Sequence, residues 1–310
     1  MSKALVITDE KKSSINQCNA LINEIKKKKK LNVDYRLIRK NIINHLPNSL
    51  LYLLLLIRSL FKKNFACSYD MIISCGRVSA PYSLILKKNG NCRSFHILDP
   101  YFLRSEFDGI IIPKHDLKKI KMKHNLIVTD GALVDKKSLS NVESKKFRKI
   151  IPYNNVVSCF IGGDGKSSKI SLCDIEHFIE KINTISKTYK VIYCFSRRTK
   201  EEIKKKILDN KLSQHMCFYY KALNPYWFLI ENSRYFIVTE DSVSMISDAV
   251  TTGKPVYIIP IRKVKKKIKI FNDSLRERGI TREFNGKVER WKYKPLNESV
   301  RVSKIICETY

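Results

Sequence analysis

Residues 156–167 read Val156-Val157-Ser158-Cys159-Phe160-Ile161-Gly162-Gly163-Asp164-Gly165-Lys166-Ser167. A short run that is apolar at nearly every position passes into a glycine-rich turn, and the helical periodicity of Leu172–Ser186 follows. Continuous apolar character marks a strand covered on both faces, as in a parallel sheet. Glycines let the backbone approach a ligand closely, and free N–H groups at a turn or helix start suit phosphate oxygens. The turn is neither a P-loop nor a G-x-G-x-x-G, so the ATP and NAD fingerprints are absent.

The same unit recurs on either side. Downstream, the strands Val191–Phe195, Met216–Tyr219, Tyr235–Thr239 and Pro255–Ile259 alternate with helices at Glu201–Asp209, Tyr226–Asn232 and Ser244–Thr251, the last stopped by Gly253. Upstream, the strands are Leu5–Thr8, Asp70–Ser74, Ser94–Leu98, Gly109–Ile112 and Leu126–Val128, with helices at Asn16–Lys28 and Ser79–Lys87. This predicts two doubly wound α/β domains meeting near Ile150-Ile151-Pro152, so 1–150 and 151 onward. Ligands in such sheets sit at the carboxyl ends of the strands, where every motif below falls.

Composition bounds the function. The 310 residues are 44% hydrophobic and 10% aromatic, enough for real cores, so disorder as the main state is excluded. Nine cysteines, an odd number with no CxxC pair, read as free thiols in a reducing compartment and argue against a structural zinc. Sixty Lys and Arg face 29 Asp and Glu, a net charge of +31. Lys outnumbers Arg 44 to 16, the profile of an AT-rich genome. Two readings stay open: a lysine-coated surface, or an anionic partner such as a nucleotide, phosphate or anionic lipid. Residues 1–150 hold a balance of +18 and residues 151–310 one of +13, which favours the first half for an anionic surface. No RRM, zinc-finger or helix-turn-helix signature accompanies the charge, so nucleic acid is not an expected partner. The runs Lys26–Lys30 and Lys263–Lys269 read as solvated faces.

After Met1-Ser2-Lys3, the apolar run Ala4–Ile7 is too short for a signal peptide. The longest apolar stretch, Leu50–Ile57, falls short of the ~20 residues of a spanning helix and is closed by Arg58. It reads as a buried core helix or as an interfacial one whose Arg58, Lys62 and Lys63 meet anionic head groups. The expected location is cytoplasmic, with peripheral attachment to the inner face of a membrane under the second reading.

Three motifs in the second half carry chemistry. Gly162, Gly163, Asp164 and Lys166 form the glycine turn. Arg197 and Arg198, within Ser196-Arg197-Arg198-Thr199, sit where a guanidinium can grip a phosphate. Thr239-Glu240-Asp241-Ser242-Val243-Ser244-Met245 places a helix start at a strand end, with Asp241, Ser242 or Ser244 as N-cap and Glu240 or Asp241 for ribose or sugar hydroxyls. Structural readings stand beside each: a plain tight turn, surface ion pairs, a simple cap. In the first half, Asp99, His115 and Asp116 end strands and are candidate general bases or loop-holding groups. Cys75-Gly76-Arg77-Val78-Ser79-Ala80-Pro81 also follows a strand and opens a helix.

Taken in order, Cys75-Gly76-Arg77-x-Ser79-Ala80-Pro81, Asp99-Pro100, Pro113-x-His115-Asp116, Ile161–Lys166, Ser196–Thr199, Asn224-Pro225-Tyr226, Thr239–Met245, Thr252-Gly253-Lys254-Pro255 and Trp291-x-Tyr293-x-Pro295–Glu298 resemble the mitochondrial-fission-protein-like family of plants and bacteria. The likeness runs over nearly the whole chain. It implies a GT-B-like architecture, two doubly wound Rossmann-type domains facing a central cleft, with the donor in 151–295 and the acceptor in 1–150. A C-terminal helix, about 296–310, would cross back onto the first domain. Bacterial members look like nucleotide-sugar-using proteins, whereas plant members are linked to recruiting a dynamin-like protein to mitochondria. One stretch departs from the family: glycines that usually precede the Asn-Gln pair are missing from Asp9–Gln17, although Asn16 and Gln17 remain.

The resulting expectation is a metal-independent glycosyltransferase that takes a nucleoside-diphosphate sugar, with no other cofactor. Its phosphate groups would be Gly162, Gly163, Lys166, Arg197 and the Ser242–Ser244 helix start. Asn224 and Tyr226 would flank the base. Asp99, or His115 with Asp116, would deprotonate an acceptor hydroxyl, and Asn16, Gln17, Gly76, Arg77 and Ser79 would lie on the acceptor side. The acceptor would be lipid-linked, such as an envelope glycan. The alternative is a non-catalytic adaptor of the same fold that recruits a protein partner to a membrane.

Overall fold

The computed structural model describes residues 2–39, 41–61, 67–119, 124–135, 141–151, 154–219 and 224–309. Met1, Lys62, Lys63 and Pro152, named above, lie outside them. The chain forms two compact units: Met1–Lys136 with Asn297–Tyr310, and Lys137–Leu296.

In the first unit, β1 (Ser2–Asp9) leads through α1 (Lys12–Lys26) to β2 (Leu31–Ile38). After α2 (Asn48–Phe61) come β3 (Met71–Cys75), α3 (Ser79–Lys88), β4 (Arg93–Ile97), β5 (Gly109–Pro113) and β6 (Leu126–Thr129). The six strands pair in parallel in the order β2-β1-β3-β4-β5-β6. Along β1, Ala4 and Val6 face one core and Leu5 and Ile7 the opposite one. Helices on both faces therefore leave no polar face, which is why these strands read as continuous apolar runs.

The second unit runs α4 (Asn141–Ile150), β7 (Val156–Ile161), β8 (Ser168–Lys169), α5 (Leu172–Ile185), β9 (Lys190–Phe195), α6 (Glu201–Asn210), β10 (Met216–Phe218) and α7 (Tyr226–Asn232). It continues with β11 (Tyr235–Thr239), α8 (Val243–Val250), β12 (Val256–Ile259), β13 (Lys263–Val264), α9 (Lys266–Glu277) and β14 (Thr281–Glu283). Its parallel sheet has the order β10-β9-β7-β11-β12-β14, and β13 pairs antiparallel with β8. Phe178 and Ile182 of α5 and Ile203 and Ile207 of α6 cover one face. Phe228, Ile246 and Leu275, from α7, α8 and α9, cover the other.

The chain then returns to the first unit as α10 (Glu298–Thr309). Its Val302 and Ile306 are buried among Leu21, Ile22 and Ile25 of α1. Ser299 Oγ both accepts from Val134 N and donates to Val134 O, each at 2.9 Å.

Several details differ from the sequence reading. The first unit ends at Lys136 rather than at 150, because α4 inserts Phe147 and Ile151 follows it into the second unit's core. Strand β2, an edge strand with most side chains exposed, shows no buried pattern in the sequence. The lysine run 263–269 is not just a solvated face: α9 begins within it and buries Ile268, Phe271, Asn272 and Leu275. The glycine turn does not open directly into a helix. The two-residue β8 intervenes, and α5 starts afresh at a capping box of Ser171 and Asp174. Finally, the Leu50–Ile57 helix is not a core helix. Alpha-helix α2 packs on α3 rather than on the sheet and buries only Asn48, Leu51 and Leu55.

Candidate functional site

In a doubly wound sheet, the loops diverge where the strand order reverses, and that leaves a crevice at the carboxyl ends. In the second unit this point lies between β7 and β11. The turn Gly162–Gly165 follows β7, and Glu240-Asp241-Ser242 follows β11. The neighbouring strands β9 and β12 bring Ser196–Thr199 and Pro260–Arg262 to the same end.

Asp241 organises this end. Its side chain has 0% exposure. Oδ1 accepts from Thr239 Oγ1 at 2.6 Å, and Oδ2 accepts from Gly163 N at 3.1 Å and Arg198 Nη2 at 2.8 Å. Thr239 Oγ1 in turn accepts from Gly162 N at 2.8 Å, and Arg198 Nη1 donates to Gly163 O at 2.8 Å. Burial pushes the Asp241 carboxyl above the ordinary range, and these donors offset part of that rise. A Cβ on Gly162 would stand 2.1 Å from Asp241 Oδ1, and one on Gly163 2.1 Å from the Arg198 carbonyl oxygen. The two glycines thus let the turn close on a carboxylate and a neighbouring backbone. Asp164 accepts from Ile170 N at 3.0 Å and pairs with Lys200 at 3.2 Å.

Around this bracket, other groups face outward. Ser242 caps α8, its Oγ accepting from Met245 N at 3.4 Å. Ser244, in the first turn of α8, is exposed, as are Lys166 and Arg197 on the neighbouring loops. A helix N-terminus, a hydroxyl and two cations therefore share the carboxyl end of one sheet. Glu240 is buried, its Oε2 accepting from Ile261 N at 2.9 Å, and burial raises its carboxyl. It lines a cavity of about 540 Å³ with Ile261, Arg262, Lys269 and Arg276.

Tyr226 is placed differently from a base-flanking ring. Its ring lies 4.7 Å from Phe160, and its hydroxyl donates to Asp248 Oδ2 at 2.7 Å. Asn224 Oδ1 accepts from Tyr226 N at 3.0 Å, holding the start of α7. The sequence reading missed Asp248, whose carboxyl is pushed up to about 7 by burial, the hydrogen bond from the Tyr226 hydroxyl opposing the rise. Its spacing from Ser244, four positions along α8 and so on the same face, was the available signal.

In the first unit, Gly76, Arg77, Ser79, Asp99, His115 and Asp116 follow β3, β4 and β5 at their carboxyl ends, while Asn16 and Gln17 lie in α1. Gly76 takes φ +90° between Asp9 and the start of α3. Ser79 Oγ donates to the Cys75 and Gly76 carbonyls, each at 2.8 Å. The Arg77 guanidinium donates to Leu46 O, Asn48 Oδ1 and Asn44 O, which ties down the start of α2. Gln17 Oε1 accepts from Leu133 N at 3.4 Å, and Asn16 is half-buried nearby in α1. Both Asp99 oxygens accept from Arg104, at 2.9 and 2.8 Å. His115 is buried, with its Nε2 3.8 Å from Asp116 Oδ2. Around Asp99, three non-glycine residues, Leu98, Tyr101 and Leu103, take left-handed φ of 74°, 63° and 40°. Such strain persists only where surrounding structure enforces it. Among the described residues, no cluster of three or more His, Cys, Asp or Glu is arranged to hold a metal ion.

Residues 14–310 match the family model described as Mitochondrial fission ELM1. An uncharacterized protein of Rickettsia prowazekii is 30% identical, over 97% of this chain and 96% of its own length. The mitochondrial fission protein ELM1 of Arabidopsis thaliana is 28% identical over 75% of this chain, a match that spans 62% of that protein. Among solved structures, the UDP-GlcNAc 2-epimerase of Methanocaldococcus jannaschii superposes with a TM-score of 0.64 at 14% identity, over 99% of each chain. That likeness extends across both units, so the pair of Rossmann-type sheets is GT-B-like, as the motif series implied.

Proposed function

Since the chain belongs to the mitochondrial fission ELM1 family and carries a GT-B-like fold, we propose that it binds a nucleoside-diphosphate sugar and acts as a glycosyltransferase. The observation that carries this reading is the arrangement at the β7–β11 reversal: a capped helix start with Ser244, Lys166 and Arg197 exposed around it. Asp241, Arg198 and the two glycines hold the loops in place. The α8 N–H groups, Lys166 and Arg197 then meet the charge of the diphosphate leaving group in place of a metal ion. Glu240 and its cavity take the hydroxyl-bearing part of the donor. In the first unit, His115 beside Asp116 accepts the proton of an acceptor hydroxyl, and Asp99, gripped by Arg104, holds its loop.

Thermal-shift and calorimetric titration with UDP, GDP, ADP and CMP tests the donor site. At least one nucleotide should raise the melting temperature. Lys166→Ala with Arg197→Ala should weaken that nucleotide by about tenfold per side chain, since each removes a charged hydrogen bond. Both side chains are exposed, so the fold should survive. No binding by any nucleotide would overturn the reading and favour the adaptor alternative. The inward engagement of Arg77, Ser79 and Asp99, and the altered Asp9–Gln17 loop, are the observations on that alternative's side.

A further inference from the structure

Helix α2 carries an outward apolar stripe. Leu50, Leu53, Leu54, Ile57, Leu60 and Phe61 recur at helical spacing along one face, and all are exposed, Leu53 by 51%, Ile57 by 48% and Phe61 by 82%. An apolar face of this kind on a water-exposed helix is a contact surface. The loop after β4 extends it. Phe102 packs edge-on against Tyr52 at 5.8 Å, Asn48 Nδ2 donates to Pro100 O at 2.8 Å, and Tyr101 and Leu103 beside them are exposed by 69% and 43%. The Arg77 clamp on Leu46, Asn48 and Asn44 fixes the helix at its start, so the stripe is presented on a rigid base.

The charge of the segment that carries the stripe selects its partner. From Tyr35 to Tyr69 the sequence contains no Asp or Glu, yet it contains Arg36, Arg39, Lys40, Arg58, Lys62 and Lys63. Arg36, Arg39 and Arg58 are exposed. On α2 itself, leucines with Arg58 and without acids match the boundary of an anionic bilayer, where apolar side chains enter the acyl region and cations meet head-group phosphates, while the adjoining loop brings Glu106 near Tyr52 and Asp99 paired with Arg104. No described helix is long and apolar enough to cross a membrane, so insertion would be shallow.

We propose that the outward face of α2, with Tyr101 and Leu103, docks the protein on an anionic lipid surface. This does not rest on the nucleotide-sugar reading, and its test involves no nucleotide. The full chain is floated with vesicles of phosphatidylcholine alone and of phosphatidylcholine with phosphatidylglycerol. Binding should require the anionic lipid and weaken with salt. Leu53→Glu with Ile57→Glu should reduce binding by on the order of tenfold or more. Arg58→Gln should reduce it by about fivefold, the factor for one basic group at such a surface. All three positions are exposed, and circular dichroism checks that each variant is folded. Failure to float at low salt, or equal flotation of the folded leucine–isoleucine variant, would overturn the proposal. A dimer in sedimentation that Leu53→Glu with Ile57→Glu dissociates would also overturn it, since the stripe would then belong to a second copy.

Discussion

Asp241 shows how far a motif's position and its role can separate. The Thr239–Met245 stretch marks a site from sequence, but its carboxylate turns inward and joins Gly163 and Arg198 across the sheet. These partners lie 78 and 43 positions away along the chain, so no local pattern could assign them. The glycines likewise suggested phosphate contact, yet their closest neighbours are the Asp241 carboxylate and the Arg198 backbone. Asp241→Ala should lower unfolding stability by about 2–3 kcal/mol, because Gly163 N and Arg198 lose a charged acceptor. The partial exposure of Arg198 holds the loss below that of a fully buried pair. Urea unfolding of parent and variant checks it. By contrast, a cap at this helix start was readable in advance as Asp241, Ser242 or Ser244, since a short polar side chain just before an apolar helix is a local signal, and the structure places it at Ser242.

Secondary elements sort by the same logic. Strands such as β7, buried on both faces, were plain in the sequence, whereas β2 was not, because an edge strand needs no apolar code. In α2 the apolar run is nearly continuous, so its periodicity does not show which side is covered; packing on α3 decides that. Helix α8 yields a pH prediction. Asp248 is held up to about 7, against ~4 in an unfolded chain. Its folded-state pKa is raised, so its contribution to stability is full below about pH 4 and lost as pH climbs through about 7. Asp248→Asn keeps an acceptor for the Tyr226 hydroxyl without the charge. The variant should melt higher than the parent at pH 8 and close to it at pH 4, a difference read by calorimetry across that range. An offset independent of pH would contradict the assignment.

For the whole chain, the +31 charge says less than its placement. Much of it covers surfaces such as Lys26–Lys30, while Lys166, Arg197 and the acid-free stretch around α2 lie beside features that a charge can serve. The two units also differ in how the chain builds them. The second is one continuous segment, Lys137–Leu296, and the first needs Asn297–Tyr310 to complete its core. A chain ending at Leu296 should therefore lose the melting transition of the first unit, with Val302 and Ile306 gone from their cluster, and keep that of the second. Hydrogen exchange resolved by segment distinguishes this from a loss spread over both. This division sets an order of events at the ribosome. The second unit's strands and helices are all made before α10, so its core is complete in sequence while the first still lacks a flank. The first unit begins earlier and is completed later: the apolar flank of α1 stays uncovered until α10 joins it.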